Sequence, residues 1–327
     1  MLPQAPESPL AKSPWHEGER AIQASLGVAE TMDRLASRMI RDHMPEQHRA
    51  FYPRLPFVIA GVVDDEGAPW ATLIEGAAGF VSSPDPRSLR IAASPTEGDP
   101  AKAALRTGAS VGLLGIELST RRRNRANGRL TRSGPGGHEV HVEQAFGNCP
   151  QHIRLRGLST AGAPRTTYNG AVERSAGLDA EARQAISAAD TFFLASYADV
   201  GGDPAARSVD VSHRGGKPGF VRVDGDVLTI PDFSGNRFFN TLGNILLSGR
   251  AGLLFVDFTR GDLLQITGSA EIISEGDEVA RFEGAERLVR VRVSRMVRRR
   301  GAVSLRWTAG ELSPSSLATG SWESGVW

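Results

Sequence analysis

Apolar and polar residues change over in short bursts along most of the 327-residue chain, and the bursts form two matching series. In the first, Phe57 to Leu73 is an apolar run, an acidic and glycine turn and a second apolar run, which predicts a β-hairpin. The strand SLRIAAS at Ser88 to Ser94 follows, then a predicted helix near Asp99 to Arg106 and the strand VGLLGIEL at Val111 to Leu118. The second series has a hairpin over Phe192 to Val209 and the strand DVLTIPD at Asp226 to Asp232. It continues with a predicted helix near Asn236 to Leu247 and the strand AGLLFVDF at Ala251 to Phe258. Val111 and Ala251 stand 140 positions apart, and the turns repeat as well as the apolar runs. A duplicated domain must duplicate its turns, so the chain is read as two copies of one β-rich unit of roughly 100 to 120 residues.

The remaining segments flank these copies. Ser13 and Pro14 are placed as the cap and first position of a helix, and Val28 to His43 carries Met32, Leu35, Met39 and Ile40 at helical spacing. Residues 1–45 are therefore a helical segment covering a barrel end, and 46–157 the first domain. The Gly-, Ser- and Thr-rich stretch 158–178 is a linker, 179–308 the second domain, and 309–327 a tail that is loose or draped over a partner through Trp322 and Trp327. The run VRVRVSRMVRRR, Val289 to Arg300, alternates like an edge or half-exposed strand with solvated arginines.

Composition narrows the class. An apolar share of 40% with 37 Gly and 19 Pro suits many short strands joined by turns. Lys and Arg total 38 against 37 Asp and Glu, so no whole-molecule field draws the chain to nucleic acid or a membrane surface, and any basic site is local. A single cysteine, Cys149, leaves no intramolecular disulfide, and the first residues lack a charged and apolar leader, so a cytoplasmic protein is expected. No apolar run reaches the length of a membrane span.

Chemistry is sought where the copies differ. Where the first hairpin has Pro69, Trp70, Ala71 and Thr72, the second has Arg207, Ser208, Val209, Asp210, Val211 and Ser212, ahead of His213 and Arg214. The next strand ends in PDFSGNR, which adds Pro231, Asp232, Asn236 and Arg237. Guanidinium groups beside small donors suit a phosphate; the alternative is surface arginines on a solvated strand and helix start. If Arg207 grips a phosphate, its loss weakens binding roughly 10- to 100-fold. After the first octet, TRRRNRANGR at Thr120 to Arg129 reads as an insertion, since the second copy has only FTRGD there. Its residues Arg122, Arg123 and Asn124 could bind an anionic substrate or a nucleotide's second phosphate, pair with acids across an interface, or form a solvated loop. Cys149 and His152 in FGNCPQHI could be a nucleophile and base, or a turn with a small buried thiol. His138 and His141 point to opposite faces of a strand with no third ligand in view, so no metal site is expected.

The ordered set RSVDVSHRGG, PDFSGNRFFNTLGNI, AGLLFVDF and GDLLQITGSAEI resembles the pyridoxamine 5'-phosphate oxidase-related FMN-binding split-barrel family. The first copy, with GLLGIEL, TRRRNRANGR and FGNCPQHI, is similar to the N-terminal half of its long, two-barrel members. The resemblance implies a mainly β fold with helices, tandem FMN-binding split β-barrels, and an FMN cradled between barrel units. Carried onto this chain, the cofactor residues are Arg207 to Ser212, Pro231, Asp232, Asn236 and Arg237, with Gln265 near the family's glutamine, here replaced by Leu263. Phe238 stands where the oxidase has a second basic residue, and the oxidase's substrate-binding Arg and His pair has no convincing match. The implied function is an FMN-dependent oxidoreductase acting on an unknown small molecule, as a homodimer unless the tandem chain closes its own interface. A flavin store or sensor and a deazaflavin-dependent reductase are the alternatives, and no side-chain nucleophile is required of a flavin site.

Overall fold

The computed structural model describes residues 13–322. Helices α1 (Glu17–Ser25), α2 (Ala29–Met39) and α3 (Glu46–Arg49) lead in. α1 starts later than the expected Ser13, because His16 accepts from Gly18 N–H while Glu19 accepts from His16 N–H, a closed capping box.

The first sheet comprises β1 (Phe57–Val63), β2 (Pro69–Glu75), β3 (Val81–Asp85), β4 (Ser88–Ile91), β5 (Ser110–Glu117), β6 (Arg122–Gly134) and β7 (Gly137–Gly147). Its strand order is β2-β1-β5-β6-β7-β4-β3. After β8 (Arg156–Ala161), β9 (Val172–Ser175) and α4 (Ala180–Ala188), the second sheet begins with β10 (Thr191–Asp199), β11 (Arg207–Gly215), β12 (Arg222–Asp224) and β13 (Val227–Phe233). It ends, after α5 (Asn240–Ser248), with β14 (Arg250–Val256), β15 (Leu263–Ile273) and β16 (Ala285–Arg299). The order β11-β10-β14-β15-β16-β13-β12 is the same permutation, so the duplication holds and the molecule is a mainly β pair of split barrels. Among the described residues no helix is long and apolar enough to cross a membrane.

The repeated octets owe their shared glycine to the way the halves meet. A Cβ on Gly112 would stand 2.8 Å from the Cα of Asp210, and one on Gly252 would stand 2.2 Å from the carbonyl oxygen of Pro69. Each half thus lays a bare stretch of backbone against the other's hairpin, as only glycine permits. Around this contact Phe57, Ile59 and Leu114 share one apolar cluster with Phe193, Val211 and Leu254, while each barrel keeps a core of its own. One chain therefore closes its own interface.

Several sequence expectations change. TRRRNRANGR is no insertion: Arg122 to Arg129 pair with β5 throughout, so this segment is the counterpart of GDLLQITG in β15. Its period is masked because one face turns toward the other half and carries polar groups. The helix expected at Asp99 to Arg106 is reduced to turns, and the Asp99 carboxylate accepts from Ala101 N–H and from Gln265 and pairs with Arg299 of the neighbouring half. The helix expected from Asn236 starts at Asn240, after Arg237 and Phe239 in left-handed conformations. β16 is interior, paired with β15 and β13, and buries Arg287, Arg298 and Arg299. Residues 158–178 contribute to β8, which pairs with β17 (Leu305–Ala309), and to β9, which pairs with β16. The tail is not loose up to Trp322: that ring packs on Phe282 and its indole donates to the Phe220 carbonyl. Trp327 lies outside the described residues.

Candidate functional site

Strand registers identify equivalent residues in the two halves. Arg125 stands opposite Leu114, and Gln265 opposite Leu254. Thr72 stands opposite Ala60, and Ser212 opposite Leu194. Asn148 N–H donates to the Arg123 carbonyl, the place that Arg299 holds beside Leu263. Each half sends the end of its sixth-strand equivalent, β6 or β15, against the other's hairpin, and the result is a pair of related clefts.

One cleft is sealed. Asp99 accepts from Thr72 Oγ1 at 2.5 Å and Gln265 Nε2 at 3.1 Å, and is ion-paired with Arg299. Arg299, 1% exposed, also donates to Thr96 Oγ1 and to Gln265 Oε1. Glu75 caps the arrangement by accepting from the Ser304 and Leu305 N–H groups. About 10 Å³ of cavity remains.

The other cleft is open, with a cavity of about 130 Å³. The first half supplies Arg123, Arg125, Cys149 and His152; the second supplies Ser212, Arg214, Asp232, Asn236, Arg237 and Asn240. Arg125 is fixed from three sides, donating to Ser212 Oγ at 2.5 Å and Asn240 Oδ1 at 3.1 Å and pairing with Asp210 at 3.1 Å. Asp232 is neutralised by Arg214 at 2.6 Å and Arg287 at 3.4 Å. Arg123 donates only to carbonyl oxygens, those of Cys149 and His213. Burial, and then Arg125 and Arg214, bring its guanidinium down to about 9, so it is cationic at neutral pH. His152 stacks on Phe233 with ring centres 4.8 Å apart, and burial followed by Arg123 and Arg214 lowers it to about 4. His213 is buried and held far below the ordinary imidazole range by the same causes, so both rings are neutral at pH 7.

The backbone at the rim is strained. The non-glycine residues with left-handed φ among those described are Arg121, His152, Arg237 and Phe239, and the last three line the cleft. Such conformations persist where surrounding structure enforces them, commonly at sites of function. α5 begins here without a side-chain cap, and its first residues, Asn240, Thr241 and Leu242, line the same cleft as Arg237.

Ser212, Pro231, Asp232, Asn236, Arg237, Arg123 and Cys149 come together in the open cleft. Asp210 acts one step back, through Arg125 and Asn127. Val209 and Val211 are apolar core, and Ser208 is half-buried outside the cleft. Arg207 is elsewhere: both arms pair with Asp199, and its guanidinium lies over Tyr197. Gln265 belongs to the sealed cleft, and Arg122 and Asn124 line a furrow beside the open one. Sequence reasoning missed Arg125, Asn240 and Thr241 as cleft groups and did not select Arg214; the alternation Ser208, Asp210, Ser212, Arg214 on one strand face was the available signal.

Residues 178–312 match the family model described as pyridoxamine 5'-phosphate oxidase. Among solved structures, HupZ of Group A Streptococcus is similar at 17% identity and a TM-score of 0.28, over 37% of this chain and 98% of that one. A candidate pyridoxamine 5'-phosphate oxidase from Lactobacillus delbrueckii gives 16% and 0.27, over 37% and 94%. A candidate 5-nitroimidazole antibiotic resistance protein from Bacteroides thetaiotaomicron gives 12% and 0.26, over 43% and 93%. No curated protein matches the chain significantly. Residues 178–312 are thus similar to the pyridoxamine 5'-phosphate oxidase family, and the sheet order of that half is repeated in the first.

Proposed function

We propose that the open cleft holds an FMN and that the protein is an FMN-dependent oxidoreductase acting on a small molecule. The observation that carries this is a set of unpaired polar groups, donors and acceptors, at one place. Arg123 has no carboxylate partner, and the cleft residues carry buried polar atoms without a protein partner: Arg125 Nε, Asn148 Oδ1, His152 Nδ1 and both ring nitrogens of His213. Buried polar groups are nearly always bonded, so a set of unbonded ones around one cleft favours a polar ligand. A phosphate suits Arg237, Asn236 and the uncapped start of α5, where the helix dipole favours an anion. Thr241 and Asn236 offer a hydroxyl and an amide for a ribityl chain, and Phe233 stacked with His152 forms a flat wall.

When bound, the flavin supplies the electron and hydride transfer. The chain's residues bind and orient it: Arg125, locked by Asp210, Ser212 and Asn240, keeps a fixed positive charge in the cleft wall. His152 and His213, held neutral, add polar contacts without a second set of cations. Both halves of one chain enclose the cleft, so a second copy is not needed to complete it. Purified protein is expected to carry one FMN per chain, read from its visible spectrum and the mass of the released ligand, and to bleach with reduced nicotinamide. A spectrum of deazaflavin, or no bound chromophore after reconstitution with FMN, would defeat the proposal; FMN that never turns over would leave a store.

A further inference from the structure

An open furrow of about 780 Å³ runs beside the flavin cleft and shares Arg123 and Asn148 with it. Its lining includes Arg54, Arg121, Arg122 and Arg123, and no aspartate or glutamate. Arg122 is held in place, with its guanidinium 4.5 Å above the Phe51 ring and one arm donating to the Gln47 carbonyl at 2.6 Å. Arg121 donates to the Ile153 and Leu312 carbonyls, so Arg121, Arg122 and Arg123 are all satisfied by neutral acceptors and keep their charge. Arg54 alone meets an acid, Glu117, at a half-exposed pair worth little in water.

A second observation points to a ligand. Asn124 and His48, 4% and 5% exposed, line the furrow, and Asn124 Nδ2 and His48 Nδ1, buried in its wall, have no partner. His48 is lowered to about 4 by burial, then by Arg122 and Arg41, which agrees with a positive local field. Planar guanidinium groups held at fixed positions beside an amide donor recognise phosphate oxygens. Nucleic acid fits poorly, because Phe51 is buried beneath Arg122 and the chain's net charge is only +1.

We infer that this furrow binds the phosphate or pyrophosphate end of a co-substrate whose reacting end enters the neighbouring cleft, an inference that rests on the flavin assignment of that cleft. The substrate class is then a phosphate ester such as a nucleotide, gripped by Arg122, Arg54, Arg123 and Asn124.

The test is calorimetric titration of inorganic pyrophosphate into the full chain saturated with FMN. Binding is expected, weakened about tenfold or more by Arg122→Glu, and by less in Arg54→Ala, while FMN affinity changes less than about twofold in both. Circular dichroism melting of both variants guards against a folding failure, and Arg54→Ala is the milder control. No pyrophosphate binding to the FMN-loaded protein, or binding indifferent to both substitutions, would overturn the inference. Binding that FMN abolishes would do the same, since it would place the anion in the flavin's own phosphate subsite. A chain that takes up no FMN but binds pyrophosphate through Arg122 would sink the flavin assignment and leave the furrow standing as an anion site.

Discussion

The two clefts share one backbone plan and have opposite chemistry. Leu263 holds the place of Arg123, Gln265 that of Arg125, Arg299 that of Asn148, and Glu75 that of Gly215. In the sealed cleft the charges satisfy each other: Arg299 and Asp99 pair with both nearly fully buried, Thr72 and Gln265 take the remaining lone pairs, and Arg299 Nε alone of these groups is left unpartnered. In the open cleft a larger set of arginines, Arg123, Arg125, Arg214 and Arg237, meets two acids, Asp210 and Asp232, and Arg123 keeps only carbonyl partners. Charge content already separates the two, since the lining of the sealed cleft balances Arg165 and Arg299 against Glu75 and Asp99. A cleft becomes a receptor for an anion when donors remain after internal pairing, because burying an unpaired donor is tolerable only if a ligand or water will meet it.

The comparison is broken or sharpened most strongly at Arg299. Removing it strands the Asp99 carboxylate in a dry site, so Arg299→Ala is expected to cost about 3 kcal/mol or more of unfolding free energy in denaturant titrations. A cost below about 1 kcal/mol would mean that the seal is not structural. Next comes Arg237, exposed at the rim of the open cleft and without an acid partner. Arg237→Ala should weaken FMN binding roughly 10- to 100-fold in a fluorescence titration. It should move stability by no more than about 0.5 kcal/mol, the usual range for a surface change.

The third test uses acid. His152 sits near 4 in the folded protein against 6.5 when free, so the folded state excludes the proton. Stability from this group is complete above the free value and is lost as pH falls from 6.5 toward 4. Asparagine tolerates the left-handed backbone at this position. Relative to His152→Asn, the parent protein should lose about 2 kcal/mol between pH 7 and pH 5; parallel stability curves would show that the ring titrates normally. The smallest effect belongs to Arg207. Paired with Asp199, it is not free for a phosphate, and Arg207→Ala should shift FMN affinity less than about twofold.

The fold was legible because its signals are local. Hairpins, turns and octets recur with their spacing, and the glycine shared by the octets marks where backbone meets backbone. β6 was misread because its alternation is interrupted by the polar groups it presents to the opposite half. Arg207 shows a sharper limit. The hairpin register places Asp199 directly across from it, a pairing that follows from the turn and leaves the arginine neutralised. Arg125 could not have been assigned locally: its partners Ser212, Asp210 and Asn240 lie in the other half, 87, 85 and 115 positions away, and only the assembled interface brings them together.

The single covalent thread through both barrels has a genetic consequence. When two identical polypeptides pair about a dyad, every altered codon is expressed at both symmetry-related places. Such an assembly cannot plug one doorway with a guanidinium and spare its mirror image. Here each barrel has its own codons, and Arg299 could specialise on one side without touching Asn148 on the other.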